Sequence, residues 1–366
     1  TMIYIANVTA LLNELKTGIY KGVMILAGED SHADIPQIIQ HCNRHEIILC
    51  GGIYPSIIIG NRIKKAGFLL KKIKKTTPPV LIRYPELTIQ STTEIMKQIR
   101  RGFNQVYVIA DGLSPFISSF IQLFNRFLSA KLTFFGGGAG KSNFIQEDVI
   151  FTNTGLHRDA MLLIPFKETF NLTVNHGWKP KGPVMLATRT NMNKIVEFNW
   201  QKAWDLYQEV LLEETLNRLT KDNFIQIAEA YPFGIQLKSN QFVIRDPIGY
   251  DEDQNIVTTI DVNDNTLLHL MHADIDELLE AAAEVNRFNL SFKTQKAELF
   301  VFDCISRQIK MGERFAEEIN LLSEDMQHQN NILLNGALSI GEIASDVLGM
   351  ISFHNKTIIS NLITNG

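Results

Sequence analysis

The chain has 366 residues, 45% of them apolar and 20% charged, with a formal charge of −4; this is the balance of a folded globular protein too long for one comfortable core, hence of two domains. Disorder is excluded, and the mild negative charge gives no electrostatic footing for nucleic acid. Three scattered cysteines, Cys42, Cys50 and Cys304, point to a reducing compartment. No run reaches the ~20 apolar residues of a membrane span, so no integral membrane segment is predicted. The start lacks a basic, signal-like stretch, and a cytoplasmic location is expected.

Apolar positions at helical spacing predict a helix over Val8 to Leu15, and Val23 to Gly28 reads as a buried strand closed by glycine. Pro36 opens a short helix to His41. Ser91 to Arg101 is amphipathic behind a Ser/Thr cluster suited to capping. Gln105 to Ala110 is a strand that ends at Asp111-Gly112, and Pro115 to Leu128 is a helix leading into the glycines at 136–138. The Asn-, Gly- and Pro-rich stretch from Pro165 to Pro183 marks a crossing between two domains, 1–195 and 196–366. Trp200 to Leu219 is then a long helix burying Trp204, Tyr207, Leu211 and Leu212. Phe242 to Ile244 and Asn255 to Val262 are strands, with a hairpin turn over Gly249 to Asp253. A helix from Ile275 to Phe288, a buried strand at Leu299 to Phe302, a helix from Gly312 to Leu322 and strands at Met350-Ile351 and Ile358-Ile359 complete the chain.

One phrase recurs. Leu132 to Gly140, Asn331 to Ile343 and, more faintly, Ile47 to Gly52 are each an apolar run that stops in small residues and is followed by further short strands. Glycine there permits close backbone approach, either for a plain bend or bulge or for a ligand. The recurrence predicts an α/β fold of two related, pseudo-duplicated lobes, with mixed β-sheets flanked by helices and equivalent loops facing a common seam.

Charge at strand ends supplies the candidate site. Arg307, after Cys304, suits a carboxylate or phosphate, or pairs internally with Glu342 or Glu318. Gly341-Glu342 lies on the last glycine loop. Arg245-Asp246 is an opposite pair apt for an amino acid's carboxylate and ammonium, or an ordinary surface pair at a turn. Asp111-Gly112 ends a strand where ligands collect in α/β sheets, or is an ordinary turn before a helix; Gly137 and Gly138 belong to the glycine loop that could face a ligand. Cys304 is a nucleophile only beside a base, and otherwise a small buried hydrophobe. The nine histidines form no metal-ligand set, although His269 and His272 share a face if that segment is helical. No metal or cofactor is predicted. The lysines of 62–75, around Phe68-Leu69-Leu70, read as a solvated edge or a surface for an anionic partner.

With these residues in view, the chain resembles the FIST-domain family, both its N and C parts. The resemblance rests on Asp111-Gly112, Phe135 to Gly140 and Val149 to Phe151; on His176 to Pro180 and Thr188 to Thr190; and on Tyr207, Tyr231 to Phe233, Arg245 to Pro247, Cys304 with Arg307, Glu317-Glu318, Gly341 to Ile343 and Asn355 to Thr357. The family's first glycine loop is usually polar and ends in glycine-glutamate-isoleucine, where this chain has Gly51 to Ile58, apolar and carrying Pro55. The resemblance implies a sensory, ligand-binding module of signal transduction.

The expected function is therefore a non-catalytic cytoplasmic sensor of a small polar ligand such as an amino acid. Arg245, Asp246, Arg307 and Glu342 would fix the ligand's charges, and a separate signalling output protein would receive the signal. A protein-interaction adaptor working through the lysine-bordered strand, and a Cys304-dependent enzyme, are the alternatives. The sequence leaves a homodimer open.

Overall fold

The computed structural model describes residues 2–74, 78–99, 103–127, 132–215, 218–238, 241–292, 297–346 and 349–364. The chain is α/β, with mixed sheets flanked by helices, and divides into two compact units. The first holds 1–175, 282–353 and 357–366; the second holds 176–281 and the short excursion 354–356.

In chain order the first unit begins with β1 (Met2–Ile5), α1 (Val8–Leu15), β2 (Gly22–Gly28), α2 (Ile35–Arg44), β3 (Ile48–Tyr54), β4 (Ser56–Ile59), β5 (Arg62–Lys64) and β6 (Phe68–Lys72). The same order follows in β7 (Val80–Arg83), α3 (Ile89–Ile99), β8 (Gln105–Asp111), α4 (Ile117–Asn125), β9 (Thr133–Ala139), β10 (Ile150–Thr152), β11 (Gly155–His157) and β12 (Ala160–Phe166). A third round opens with β13 (Thr169–Asn175). The second unit intervenes, as β14 (Lys179–Asn191), β15 (Lys194–Phe198), β16 (Gln201–Lys202), α5 (Ala203–Thr215), α6 (Phe224–Ala230), β17 (Phe233–Lys238), β18 (Gln241–Arg245), β19 (Pro247–Tyr250), β20 (Ile256–Thr258) and β21 (Thr266–His272). The third round then resumes with α7 (Ile275–Ser291), β22 (Ala297–Cys304), α8 (Ile305–Met311), α9 (Phe315–Asn330), β23 (Leu334–Ser339), β24 (Glu342–Ser345), β25 (Ile351–His354) and β26 (Ile358–Thr364).

The repetition of the first unit therefore goes one step past a duplication. Three sheets share one order, β1-β6-β2-β3-β10-β11, β7-β12-β8-β9-β24-β25 and β13-β26-β22-β23-β4-β5. Each has a central parallel pair, β2 with β3, β8 with β9, and β22 with β23. Each is completed by a hairpin from another repeat, so the three interlock cyclically. The three echoes in the sequence are β3, β9 and β23, the second parallel strand of each repeat.

Glycine recurs there because the neighbouring main chain leaves no room for a side chain. A Cβ on Gly51 would lie 2.1 Å from Ile25 O, on Gly136 2.1 Å from Val108 O, and on Gly336 2.3 Å from Val301 O. These are the register partners across each parallel pair. The run at 136–138 is thus strand, not loop.

Between the sheets the core is aromatic. Tyr107 stands 5.3 Å from Phe135, 5.6 Å from Phe300 and 5.8 Å from Phe302, ring centroid to ring centroid, and Tyr54 is 5.7 Å from Phe302. Tyr107 meets Phe135 and Phe300 edge to face, a packing that fills space and adds to plain burial. At its start, α1 is capped by Asn7, whose side chain accepts the Ala10 N–H at 2.9 Å.

The second unit is a sheet ordered β18-β17-β21-β14-β15-β20-β19, with β16 on β15. Its core takes Phe198, Phe233, Leu268 and Leu270 from the strands and Trp204, Tyr207 and Leu211 from α5. The Trp204 ring stacks on Phe224 at 5.6 Å.

Several expectations change. Trp200 lies on the β15–β16 turn and is 78% exposed, and Leu212 faces solvent. His269 and His272 lie on a strand, β21. β6 is not an edge, because β1 and β2 flank it, and its Lys71 is buried against Glu298 at 2.5 Å. Lys75 of that lysine run, and the expected helix ends at Arg101 and Leu128, lie outside the described residues.

Candidate functional site

The carboxyl ends of β22 and β23 gather the polar residues of the third repeat. Asp303, Arg307, Glu318, Ser339 and Glu342 are all buried, as is Cys304. Arg307 Nε donates to Glu318 Oε1 at 3.0 Å and Nη2 to Oε2 at 2.5 Å, and Asp303 Oδ1 lies 3.6 Å from Nε. The internal pair with Glu318 that the sequence allowed is thus formed. Ser339 Oγ donates to Glu342 Oε1 at 2.8 Å, and the Cys304 thiol and the Thr357 N–H also bond to that carboxyl.

Burial pushes Glu342 well above the usual carboxylate range against the pull of those donors and of Arg307. Burial, followed by the charge of Glu318, does the same to Asp303, with Arg307 opposing. One guanidinium stands among three carboxyls, and burial favours the protonated form of Asp303 and Glu342. Glu342 is also particular to this repeat: it faces Gly137 across β9, whereas Ile150 faces Gly52 and Ile57 faces Ala337 at the equivalent places.

The glycine loops meet, but main chain on main chain. Gly138 N–H donates to Gly341 O at 2.8 Å, and a Cβ on Gly137 would strike the Phe302 ring at 2.5 Å. Gly137, Gly138 and Gly341 act here as close-approach positions, with side chains and backbone occupying the space a ligand would need.

Asp111 leads outward. Its Oδ2 accepts from the Asp159 N–H at 2.9 Å and Gln146 Nε2 at 3.0 Å, and its Oδ1 from the Leu113 N–H at 3.2 Å. The first of these bonds ties down Asp159, which lies in the left-handed region, φ +49°, where aspartate is among the residues found most often after glycine. Asp159 borders a pocket of about 330 Å³ together with Arg83, Glu86, Asp148, His157 and Arg158.

Arg83 Nη2 lies 3.5 Å from His157 Nδ1, while His157 Nε2 lies 3.1 Å from Thr152 Oγ1. Burial and the Arg83 charge lower the His157 pKa, which favours the neutral ring beside Arg83. Arg158 Nε pairs with Asp148 at 2.7 Å. Sequence reasoning passed over these residues. The polar run from Asn153 to Asp159 was a local signal, but Arg83 joins it only because β7 pairs with β12.

Arg245 and Asp246 belong to the second unit, and Arg307 and Glu342 to the first. Asp246 Oδ2 lies 3.2 Å from Lys356 Nζ, which stands 5.3 Å from the Trp178 ring centroid. This is a buried ammonium held by a carboxylate and an aromatic face. Arg245 donates to Ile244 O at 3.1 Å, and burial brings its pKa down to about 10. His354 is driven down to about 3, by burial and then by the nearby Arg245 and His176 charges. Among the described residues no cluster of three or more His, Cys, Asp or Glu side chains could hold a metal.

The fold and these networks define an α/β protein whose first unit is built from three interlocked repeats and whose third repeat is interrupted by the second unit. The FIST N domain model matches residues 22–201 and the FIST C domain model residues 203–345, and the chain belongs to the FIST-domain family. FIST domains are associated with sensory function in signal transduction. No curated protein matches the chain.

Proposed function

We propose that the chain is a non-catalytic sensory protein of the cytoplasm that binds a small charged metabolite of the amino-acid type and passes the signal to a separate output protein. The observation that supports the ligand class is the pocket beside Asp159. Two guanidiniums, Arg83 and Arg158, stand in it with three carboxylates, Glu86, Asp148 and Asp159. Cations answer a ligand carboxylate with charge-assisted hydrogen bonds, and anions answer an ammonium. Asp111 acts from behind, by fixing Asp159. In this reading the buried groups Arg307, Glu342, Arg245 and Asp246 hold the framework around which the ligand-bound state forms.

The test is thermal unfolding against a panel of free amino acids, each compared with its amide and its N-acetyl form. The expected result is a saturable rise in melting temperature for a subset of the free forms only, since a ligand that binds the native state alone stabilises it by mass action. Arg158→Ala and Arg83→Ala each weaken binding about tenfold or more, as loss of a charge-assisted contact does. A flat panel, or equal response to the blocked forms, overturns the reading. No helix among the described residues is long and apolar enough to cross a membrane.

A further inference from the structure

Strand β5 ends the order β13-β26-β22-β23-β4-β5, so among the described residues its backbone has a strand neighbour on one side only. It pairs with β4 through Ile58↔Ile63 and Ile59↔Arg62, and all three of its residues are exposed. Beside it lies a groove of about 180 Å³ between β5 and the α8–α9 corner, with an apolar lining of Ile63, Phe315, Ala316 and Ile319 joined by Gln308 and Glu313. Side chains alternate along a strand. With Ile63 on the groove face, Arg62 and Lys64 fall on the opposite face.

We propose that this edge binds an extended segment of a partner protein by strand addition, with an apolar residue seated against Phe315 and Ile319 and acidic residues on either side of it facing Arg62 and Lys64. Open main-chain groups supply the affinity in such a mode, and the pockets for alternate side chains supply the selectivity. The charges choose the occupant. A second copy of this chain, pairing β5 to β5, sets Arg62 and Lys64 against their own counterparts, and like charges across a pair are destabilising. Basic residues on an edge guard against self-association in the same way, while an acidic strand turns them into attraction. The proposal goes beyond the ligand reading and shares no pocket residue with it.

The probe is a fluorescein-labelled decapeptide of alternating aspartate and isoleucine, followed by fluorescence anisotropy with the full chain. Saturable binding that weakens with added salt is expected, with amide-exchange protection confined to β5 and the α8–α9 corner. Arg62→Glu with Lys64→Glu, melting as the parent does, weakens binding about tenfold. The same peptide methylated on alternate backbone nitrogens keeps its side chains but loses its donors, and it no longer binds. Equal binding by the methylated peptide, equal binding by an alternating lysine-isoleucine peptide, or no binding by the acidic one each overturns the proposal, without reference to whether an amino acid fills the other pocket.

Discussion

Arg307 and Glu318 form a two-pronged ion pair at 3.0 and 2.5 Å, shut away from solvent. Removing either partner strands a buried charge, so Arg307→Ala or Glu318→Ala is expected to cost about 3–5 kcal/mol. Arg307→Met with Glu318→Leu removes both charges and costs far less. Urea unfolding of the three variants checks this. A double variant as weak as the single ones contradicts the pairing.

Asp303 and Glu342 make the first unit sensitive to alkali. Burial raises both well above the usual carboxylate range, so the folded chain keeps their protons to higher pH than the unfolded chain does. In the unfolded chain they release those protons near pH 4. The folded state thus binds more protons above that point, and its stability falls as pH rises from about 4 toward the raised folded values. Asp303→Asn with Glu342→Gln flattens the slope. Melting temperatures taken from pH 4 to 9 show it, and an unchanged slope in the double variant refutes the assignment.

His354 works in the opposite direction. Its folded pKa is about 3, against about 6.5 in an unfolded chain. Above pH ~6.5 both states are neutral there and the stability is intact. As pH falls the unfolded state takes up the proton first, so stability drains away down to about 3. His354→Gln loses this acid sensitivity. Two-dimensional NMR between pH 7 and 4 resolves it through the signals of 176–281, which are expected to broaden or shift in the parent chain and stay in place in the variant.

Cys304 bears on the enzyme alternative. It is 2% exposed, and Cys42 and Cys50 are buried as well. Burial raises the Cys42 thiol to about 12 and Cys50 beyond that. A thiol shut away from solvent is not reached quickly by a reagent. Iodoacetamide at neutral pH is expected to label none of the three within an hour and all three in urea; fast labelling of Cys304 alone would revive cysteine chemistry.

Much of the framework was legible because it is local. The apolar runs ending in glycine at 47–52, 132–140 and 331–343 correctly marked equivalent places, the helix at 8–15 followed from spacing, and the one opened by Pro36, expected to end at His41, runs on to Arg44. What escaped was long-range pairing. The β4–β5 hairpin joins a sheet whose other strands begin at residue 169, and β13 pairs with β26 nearly two hundred residues away. No local pattern encodes such partners, so the threefold repeat within the first unit was not legible, and Thr169–Asn175 read as part of a crossing. The same holds for charge: Lys71 reads as solvated until Glu298 is brought to it by the fold.

That interlocked architecture makes the same demand at three glycines. Gly51, Gly136 and Gly336 each face a carbonyl oxygen of the adjoining parallel strand, 2.1 to 2.3 Å from where a Cβ would stand. Main chain in the middle of a sheet cannot step aside as a flexible side chain can, so adding one methyl group forces the central pair apart. Each Gly→Ala change is expected to cost about 3 kcal/mol or more. Gly249, which has nothing within 4 Å of its Cβ position, serves as the control, and Gly249→Ala leaves stability within about 0.5 kcal/mol of the parent. Urea midpoints decide the matter. Similar losses at all three sites beside an unaffected control follow from threefold equivalence, whereas a harmless alanine at 136 contradicts the strand register on which that equivalence rests.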